Sequence, residues 1–347
     1  MSTTQPLRSS ESAGDLAIVG RSPALVHAVA LADRFASTAL PILLIGATGT
    51  GKELFARRIH ALSGRPGPLV PVNCAAFPRD MVESLLFGHS RGAFTGAVRD
   101  SAGFIESAHG GTLYLDELSS LPPEAQGKLL RVLESKDVYR LGETKPRRVD
   151  FRLVASSQED LLTRMQEGTF RLDLFQRAAG VRIDLTPLRE RVEDIVLLAE
   201  HFADRSGWAL TPDGSAVLVT YTWPGNVREL QAVVERARVL SPDRAIGATS
   251  VAEAIGLGTP ASSGNAERLS STGQGDHARL VEMCVAQGCD ARRIAAAFGW
   301  GLSTVYRRLR AAGVSLRQLR DSQSFSAILK KEKESLPPSH LPTIVTP

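Results

Sequence analysis

Gly46-Ala47-Thr48-Gly49-Thr50-Gly51-Lys52 follows an apolar run and opens a helical pattern, a context in which this spacing suits a phosphate group. Glycines let the backbone amides curl round the anion, and the helix N-terminus adds its positive end. Lys52 reaches the outer phosphates as a point charge. Further on, the apolar run Gly110–Leu115 ends in Asp116-Glu117. One carboxylate there can hold Mg²⁺ through its waters, and the next can orient or deprotonate an attacking water. Two acids after a strand also serve simply as a helix N-cap. Pairing with a phosphate loop favours the catalytic reading. Arg171 and Arg177 stand six residues apart in Phe170–Arg177. They read either as a surface helix salt-bridged through Asp173 or as charges reaching a neighbouring subunit's terminal phosphate.

Between the phosphate loop and the acidic pair lies Gly92-Ala93-Phe94-Thr95-Gly96-Ala97. Glycine tolerates unusual backbone angles, so Gly92 and Gly96 let the segment be raised or folded about one aromatic tip. A plain surface hairpin has the same composition. In this position, however, the loop reads as a device that pushes on a partner when the nucleotide changes.

These groups must be carried by a scaffold. Five short apolar runs, Pro41–Ile45, Leu69–Asn73, Thr112–Leu115, Phe151–Ser156 and Val181–Leu185, alternate with helical stretches such as Glu53–Leu62 and Glu124–Glu134. Alternation of this kind predicts an α/β fold with a parallel sheet covered by helices. The organisation expected is a disordered segment over 1–16, an α/β ATPase subdomain over 17–186 and a helical lid over 187–256. A Gly/Ser/Thr/Pro linker over 257–276, a basic helical domain over 277–320 and a disordered tail over 321–347 complete it.

The whole chain carries a net charge of +4, with 43% hydrophobic and 22% charged residues, ordinary values for a soluble globular protein. No apolar run reaches the ~20 residues of a bilayer span, and the N-terminus has no apolar signal core, so a cytoplasmic protein without membrane contact is expected. Three cysteines, Cys74, Cys284 and Cys289, show no metal-ligand spacing and fit a reducing compartment. In residues 277–320 eight arginines face Glu282 and Asp290, leaving +6, which suggests a polyanionic partner. Residues 291–312 read as a helix-turn-helix, with Ser303, Thr304, Arg307 and Arg308 on one outward face suited to a major groove. A bland helical hairpin gives the same pattern.

Taken together, these segments resemble the AAA+ activators of sigma-54 RNA polymerase, the bacterial enhancer-binding proteins. The most specific piece is Leu86-Phe87-Gly88-His89-Ser90-Arg91 running into Gly92–Ala97. Ala47–Glu53, Val72–Ala76, Gly110–Glu117, Leu188–Arg191 and Trp223–Leu230 support it. The resemblance implies a AAA+ P-loop parallel sheet with helical lid, followed by a small all-α helix-turn-helix domain of Fis type. It implies ATP and Mg²⁺ as cofactors, with Gly46, Gly49, Thr50, Gly51, Lys52, Glu53 and the second-sensor Arg228 binding nucleotide. Asp116 would organise the metal, Glu117 would activate water, and Asn73 would restrain that glutamate. Arg171 and Arg177 would act in trans, which implies a homo-oligomer, most simply a hexameric ring. The tip at Phe94 and Thr95 would contact sigma-54, and Glu106 would relay nucleotide state to it.

The implied function is an ATP-hydrolysing transcriptional activator that binds upstream enhancer DNA and opens sigma-54 closed complexes through Gly92–Ala97. The alternative is a DNA-binding regulator of the same ancestry that does not activate sigma-54. About 17 residues precede the core, so no receiver domain is expected there, and control falls to a separate regulatory protein, a co-activator or expression level. Ala47, Leu85 and Ser156-Ser157 depart from the family pattern, the last replacing the usual Thr-Asn of the first sensor. Serine donates a hydrogen bond with shorter reach than asparagine, so hydrolysis is expected to be slower than in a Ser157→Asn variant. Equal turnover numbers for the two would remove that expectation.

Overall fold

A computed structural model describes residues 17–158 and 161–258. The expected N-terminal segment, most of the linker, the helix-turn-helix with Ser303, Thr304, Arg307 and Arg308, the tail, and Cys284 and Cys289 lie outside the described residues. Two compact units divide the described chain: Ser22–Pro187, and Val19–Arg21 with Leu188 onward.

In the first unit, β1 (Ile42–Ile45), β2 (Leu69–Asn73), β3 (Thr112–Asp116), β4 (Arg152–Ser157) and β5 (Val181–Asp184) form one sheet in the order β2-β3-β4-β1-β5. Every pairing in it is parallel. The strands coincide within a residue or so with the five apolar runs. Alternate residues serve opposite faces, as the period of two requires. Leu43, Leu113, Leu115, Leu153 and Ala155 join one core cluster, while Ile42, Leu44, Tyr114, Val154 and Ile183 join the other. The second cluster includes residues of α1 (Pro23–Ala36) and α2 (Lys52–Leu62). The first includes α3 (Val82–Phe87), α4 (Phe104–Ser107), α5 (Pro123–Ser135), α6 (Leu161–Gln166) and α7 (Leu172–Ala178). Each fully buried Leu or Ile contributes about 1.5–3 kcal/mol, so the two-sided sheet is the main source of stability.

Helix starts and stops follow local chemistry. Both α1 and α5 begin on a proline, whose missing N–H costs nothing in the first turn. The carboxyl end of α1 is closed from a distance: the buried Arg152 guanidinium donates to the carbonyls of Phe35 and Ala36. Burial lowers the Arg152 pKa to about 10, which still leaves it charged at neutral pH.

Register decides what meets at the sheet edge. Ile45 pairs with Ser157, Asn73 with Asp116, and Leu115 with Ala155. The phosphate loop, Asn73, Asp116 and the Ser156-Ser157 pair therefore emerge together at the carboxyl edge, where parallel sheets bind ligands.

The second unit is built from α8 (Val192–Asp204), α9 (Pro212–Thr220), α10 (Asn226–Leu240) and α11 (Ala248–Gly256). Leu198, Leu218, Trp223, Leu230, Val233, Val234 and Val251 form its core. Trp223 is buried with its indole N–H donating to the Leu218 carbonyl at 2.9 Å. The Asn226 side chain accepts from the Leu188 amide at 2.8 Å, tying the entry of the unit to α10. The sequence pattern here is helical throughout, yet Ala209–Leu210 and Ala245–Ile246 pair as a two-residue parallel bridge. Such a pair is too short to leave a periodicity. No described helix is long and apolar enough to cross a membrane.

Candidate functional site

The loop between β1 and α2 is anchored at both ends. The Gly46 amide donates to the Ser157 carbonyl at 3.1 Å, and Thr50 Oγ1 donates to the Ala47 carbonyl at 2.9 Å. A side chain at Gly46 would sit 2.9 Å from the Leu185 carbonyl oxygen, so the backbone there approaches β5 too closely for any Cβ. Gly49 and Gly51 both lie at positive φ. Lys52 is buried and folds back over the loop, its Nζ donating to the Gly46 carbonyl at 2.7 Å and the Ala47 carbonyl at 3.3 Å. Those carbonyls hold the ammonium over the loop, where an anion would meet it. Glu53 points outward and pairs with Arg57 at 2.8 Å, one turn along α2.

At the end of β3 the two carboxylates are treated differently. Asp116 Oδ1 accepts from the Tyr114 hydroxyl at 3.0 Å and from the Ser156 hydroxyl. Ser156 Oγ also accepts from the Glu117 backbone amide at 3.2 Å, so this serine links the Asp116 carboxylate to the main chain at residue 117. Asp116 Oδ2 takes no hydrogen bond among the described residues, and a single oriented oxygen is what a water-bridged Mg²⁺ needs. The Tyr114 hydroxyl is held protonated, because burial raises its pKa. Glu117 adopts a left-handed backbone, φ 58° and ψ 57°, and its carboxylate accepts from Ser119 Oγ at 2.7 Å and from the Gln158 amide at 3.3 Å.

Asn73 sits beside Asp116 in register, but its Oδ1 accepts from the Ala75 amide at 3.0 Å, capping the turn at Cys74–Ala76. Cys74 is the buried neighbour of this group. Burial, then the charges of Asp116 and Glu117, push its thiol up to about 12, so it is neutral and unreactive at physiological pH.

Arg171 immediately precedes α7 and Arg177 lies in its last turn. Arg171 forms the paired contact to Asp173 that the simpler reading anticipates, at 3.0 and 2.7 Å, and it is exposed. The Arg177 guanidinium donates to the Leu133 carbonyl at 3.1 Å. Arg171 also depends on a residue that no sequence motif singles out. Buried Gln126 donates to the Leu121 and Thr169 carbonyls at 2.8 and 3.0 Å and accepts from the Arg171 amide at 3.0 Å. A polar side chain on an amphipathic helix ordinarily faces water; this one fixes the start of α7 onto α5.

The Gly92–Ala97 segment stands on a short antiparallel ribbon, Gly88–His89 with Ser101–Ala102. Its own closure is backbone to backbone: the Gly92 amide donates to the Ala97 carbonyl at 2.8 Å, and Ala97 to Phe94 at 3.0 Å. Gly92 and Gly96 have φ of 80° and 103°, angles that side chains disfavour. Thr95 is exposed at the tip, and Phe94 is 45% exposed with its ring edge-on to His89 at 5.0 Å. A second hairpin, pairing Asp137–Val138 with Arg147–Arg148, leans on this loop. Leu141 donates to the Gly88 carbonyl and accepts from the Ser90 amide, both at 2.9 Å. Glu106 is tied to the same hairpin by a two-pronged contact to Arg140 at 2.9 and 2.8 Å. Arg228 is exposed in the first turn of α10, in the second unit.

Residues 18–184 match the family model described as "Sigma-54 interaction domain", and residues 189–268 match "AAA+ ATPase lid domain". The nitric oxide reductase transcription regulator NorR2 of Cupriavidus necator is 45% identical over 242 residues, 67% of this chain and 46% of that protein. The DNA-binding transcriptional regulator NtrC of Azospirillum brasilense is 43% identical over 263 residues, 74% of this chain and 55% of that one. The chain thus spans about half the length of the curated relatives it matches. Among solved structures, NtrX from Brucella abortus in complex with ATP superposes with a TM-score of 0.65 and 34% identity, covering 87% of this chain and 71% of that one.

Proposed function

The chain belongs to the family of AAA+ activators of sigma-54 RNA polymerase, and on that premise we propose that it hydrolyses ATP to remodel the sigma-54 closed complex into an open one. The observation that carries the reading is the pairing of a phosphate loop and a carboxylate pair with an exposed tip at Phe94 and Thr95 on the same unit.

In this reading the amides of Gly46 to Gly51 and the Lys52 ammonium bind the phosphates of ATP. Asp116 would hold Mg²⁺, which would supply neutralisation of phosphate charge when bound. Glu117 takes a proton from the attacking water, and Asn73 restrains that glutamate in another nucleotide state. Arg171 and Arg177 reach the terminal phosphate of an adjacent subunit, so the working form is a homo-oligomer, most simply a hexamer. Arg228 senses nucleotide from the lid. Glu106, through Arg140, joins the second hairpin to the base of the tip loop, and Phe94 and Thr95 meet sigma-54. The basic segment at 277–320 supplies enhancer DNA binding.

Serine at both first-sensor positions is what favours the second reading, a DNA-binding regulator that assembles without activating sigma-54. Capture of purified sigma-54 on the immobilised chain separates the two. Capture that needs ATP and a hydrolysis-competent site supports the activator; hydrolysis with no capture in any nucleotide state supports the regulator.

A further inference from the structure

Glu117 is folded back on its own turn. Its left-handed backbone leads directly into the turn Leu118–Ser120, where the Ser120 amide donates to the Glu117 carbonyl at 3.0 Å. Within that turn Ser119 Oγ donates to Glu117 Oε1 at 2.7 Å, and the Gln158 amide donates to the same oxygen at 3.3 Å from the end of β4. Across the sheet, the Asn73 carbonyl oxygen is occupied by the Ala75 amide, and no hydrogen bond joins Asn73 to Glu117 among the described residues.

From this geometry we propose that Ser119 is a positioning residue that restrains the Glu117 carboxylate between turnovers, and that loss of its hydrogen bond sets how readily hydrolysis begins. The proposal rests on the ATPase reading above. The hydrogen bond fixes Glu117 Oε1 on the turn. The contact also holds the side chain over residues 117–119. With two donors on Oε1, the oxygen has little capacity left for water. Removing the Ser119 donor frees one site on Oε1 and lets the side chain leave the turn, while the phosphate-binding groups of the Gly46–Lys52 loop stay untouched. The effect therefore belongs in turnover and not in binding.

Steady-state ATP hydrolysis by the full chain tests this, with Ser119→Ala, Ser119→Cys and Ser119→Thr compared under identical assembly. Alanine and cysteine, which keep the turn and lack a good donor, should raise kcat roughly three- to tenfold with KM for ATP unchanged, the size expected for one hydrogen bond. Threonine keeps the hydroxyl and should stay near wild type. Each single change should be silent in a Glu117→Gln background, because the restrained side chain can then no longer take a proton from water. An unchanged kcat in alanine and cysteine, or a threonine variant that behaves like alanine, overturns the proposal while leaving the ATPase reading intact. Absence of hydrolysis in wild type and in all three variants, with ATP still bound, overturns both.

Discussion

Replacing Glu117 by glutamine should lower kcat for ATP hydrolysis by about 10²- to 10⁴-fold, the usual contribution of a positioned general base. Affinity for ATP should remain within about threefold of wild type, since the phosphates are held by the 46–52 loop and not by this side chain. The substitution is conservative in shape. Glutamine still offers a carbonyl oxygen to the Ser119 hydroxyl and to the Gln158 amide, the two contacts that Glu117 makes. What it cannot do is accept a proton from water. Calorimetric titration with ATP, run beside the hydrolysis assay, separates the two quantities. Turnover within tenfold of wild type would mean that Glu117 is not the base.

Arg177→Ala should cost more, about 10³- to 10⁵-fold in kcat if the guanidinium stabilises transferring phosphate from the next subunit. Within its own subunit the change removes one hydrogen bond among the described residues, to the Leu133 carbonyl at 3.1 Å, so the fold should lose about 1 kcal/mol and ATP binding should persist. A mixing experiment tests whether the residue acts in trans. An Arg177→Ala subunit keeps a working Glu117, and a Glu117→Gln subunit keeps a working arginine. Where the intact base of one faces the intact arginine of the other, a complete site is rebuilt. Mixing two separately inactive variants should therefore restore a substantial fraction of hydrolysis. No recovery on mixing, with mixed assemblies verified by sizing, would mean that Arg177 works in its own subunit or only supports α7.

Sequence made the scaffold and the chemical anchors legible because both are local. Strand runs such as Ile42–Ile45 are apolar on both faces, and the phosphate loop and Asp116-Glu117 are contiguous in the chain. Side chains that tune these anchors were hidden, each for a physical reason. Tyr114 reads as one more core residue until its hydroxyl is seen on Asp116. Ser119 reads as turn composition, although its hydroxyl holds the candidate base. Gln126 pairs with Arg171 across 45 positions, and Arg140 pairs with Glu106 across 34, separations that no periodicity records. Ser156 reads as one half of a departure from the family pattern. Its hydroxyl contacts the Asp116 carboxylate and the Glu117 backbone amide, an arrangement that depends on β3 and β4 being adjacent in the sheet.

The central claim is that hydrolysis in this chain drives promoter opening. The direct measurement is ATP-dependent open-complex formation by the purified full chain with sigma-54 holoenzyme on a sigma-54 promoter, at activator concentrations high enough to make enhancer binding unnecessary. Thr95→Ala runs alongside, since Thr95 lies exposed at the loop tip. The account predicts opening by wild type and none by Thr95→Ala, with ATP hydrolysis by the two within about twofold, a difference of only ~0.4 kcal/mol in barrier. Hydrolysis by wild type with no opening, or opening that persists in Thr95→Ala, would contradict it.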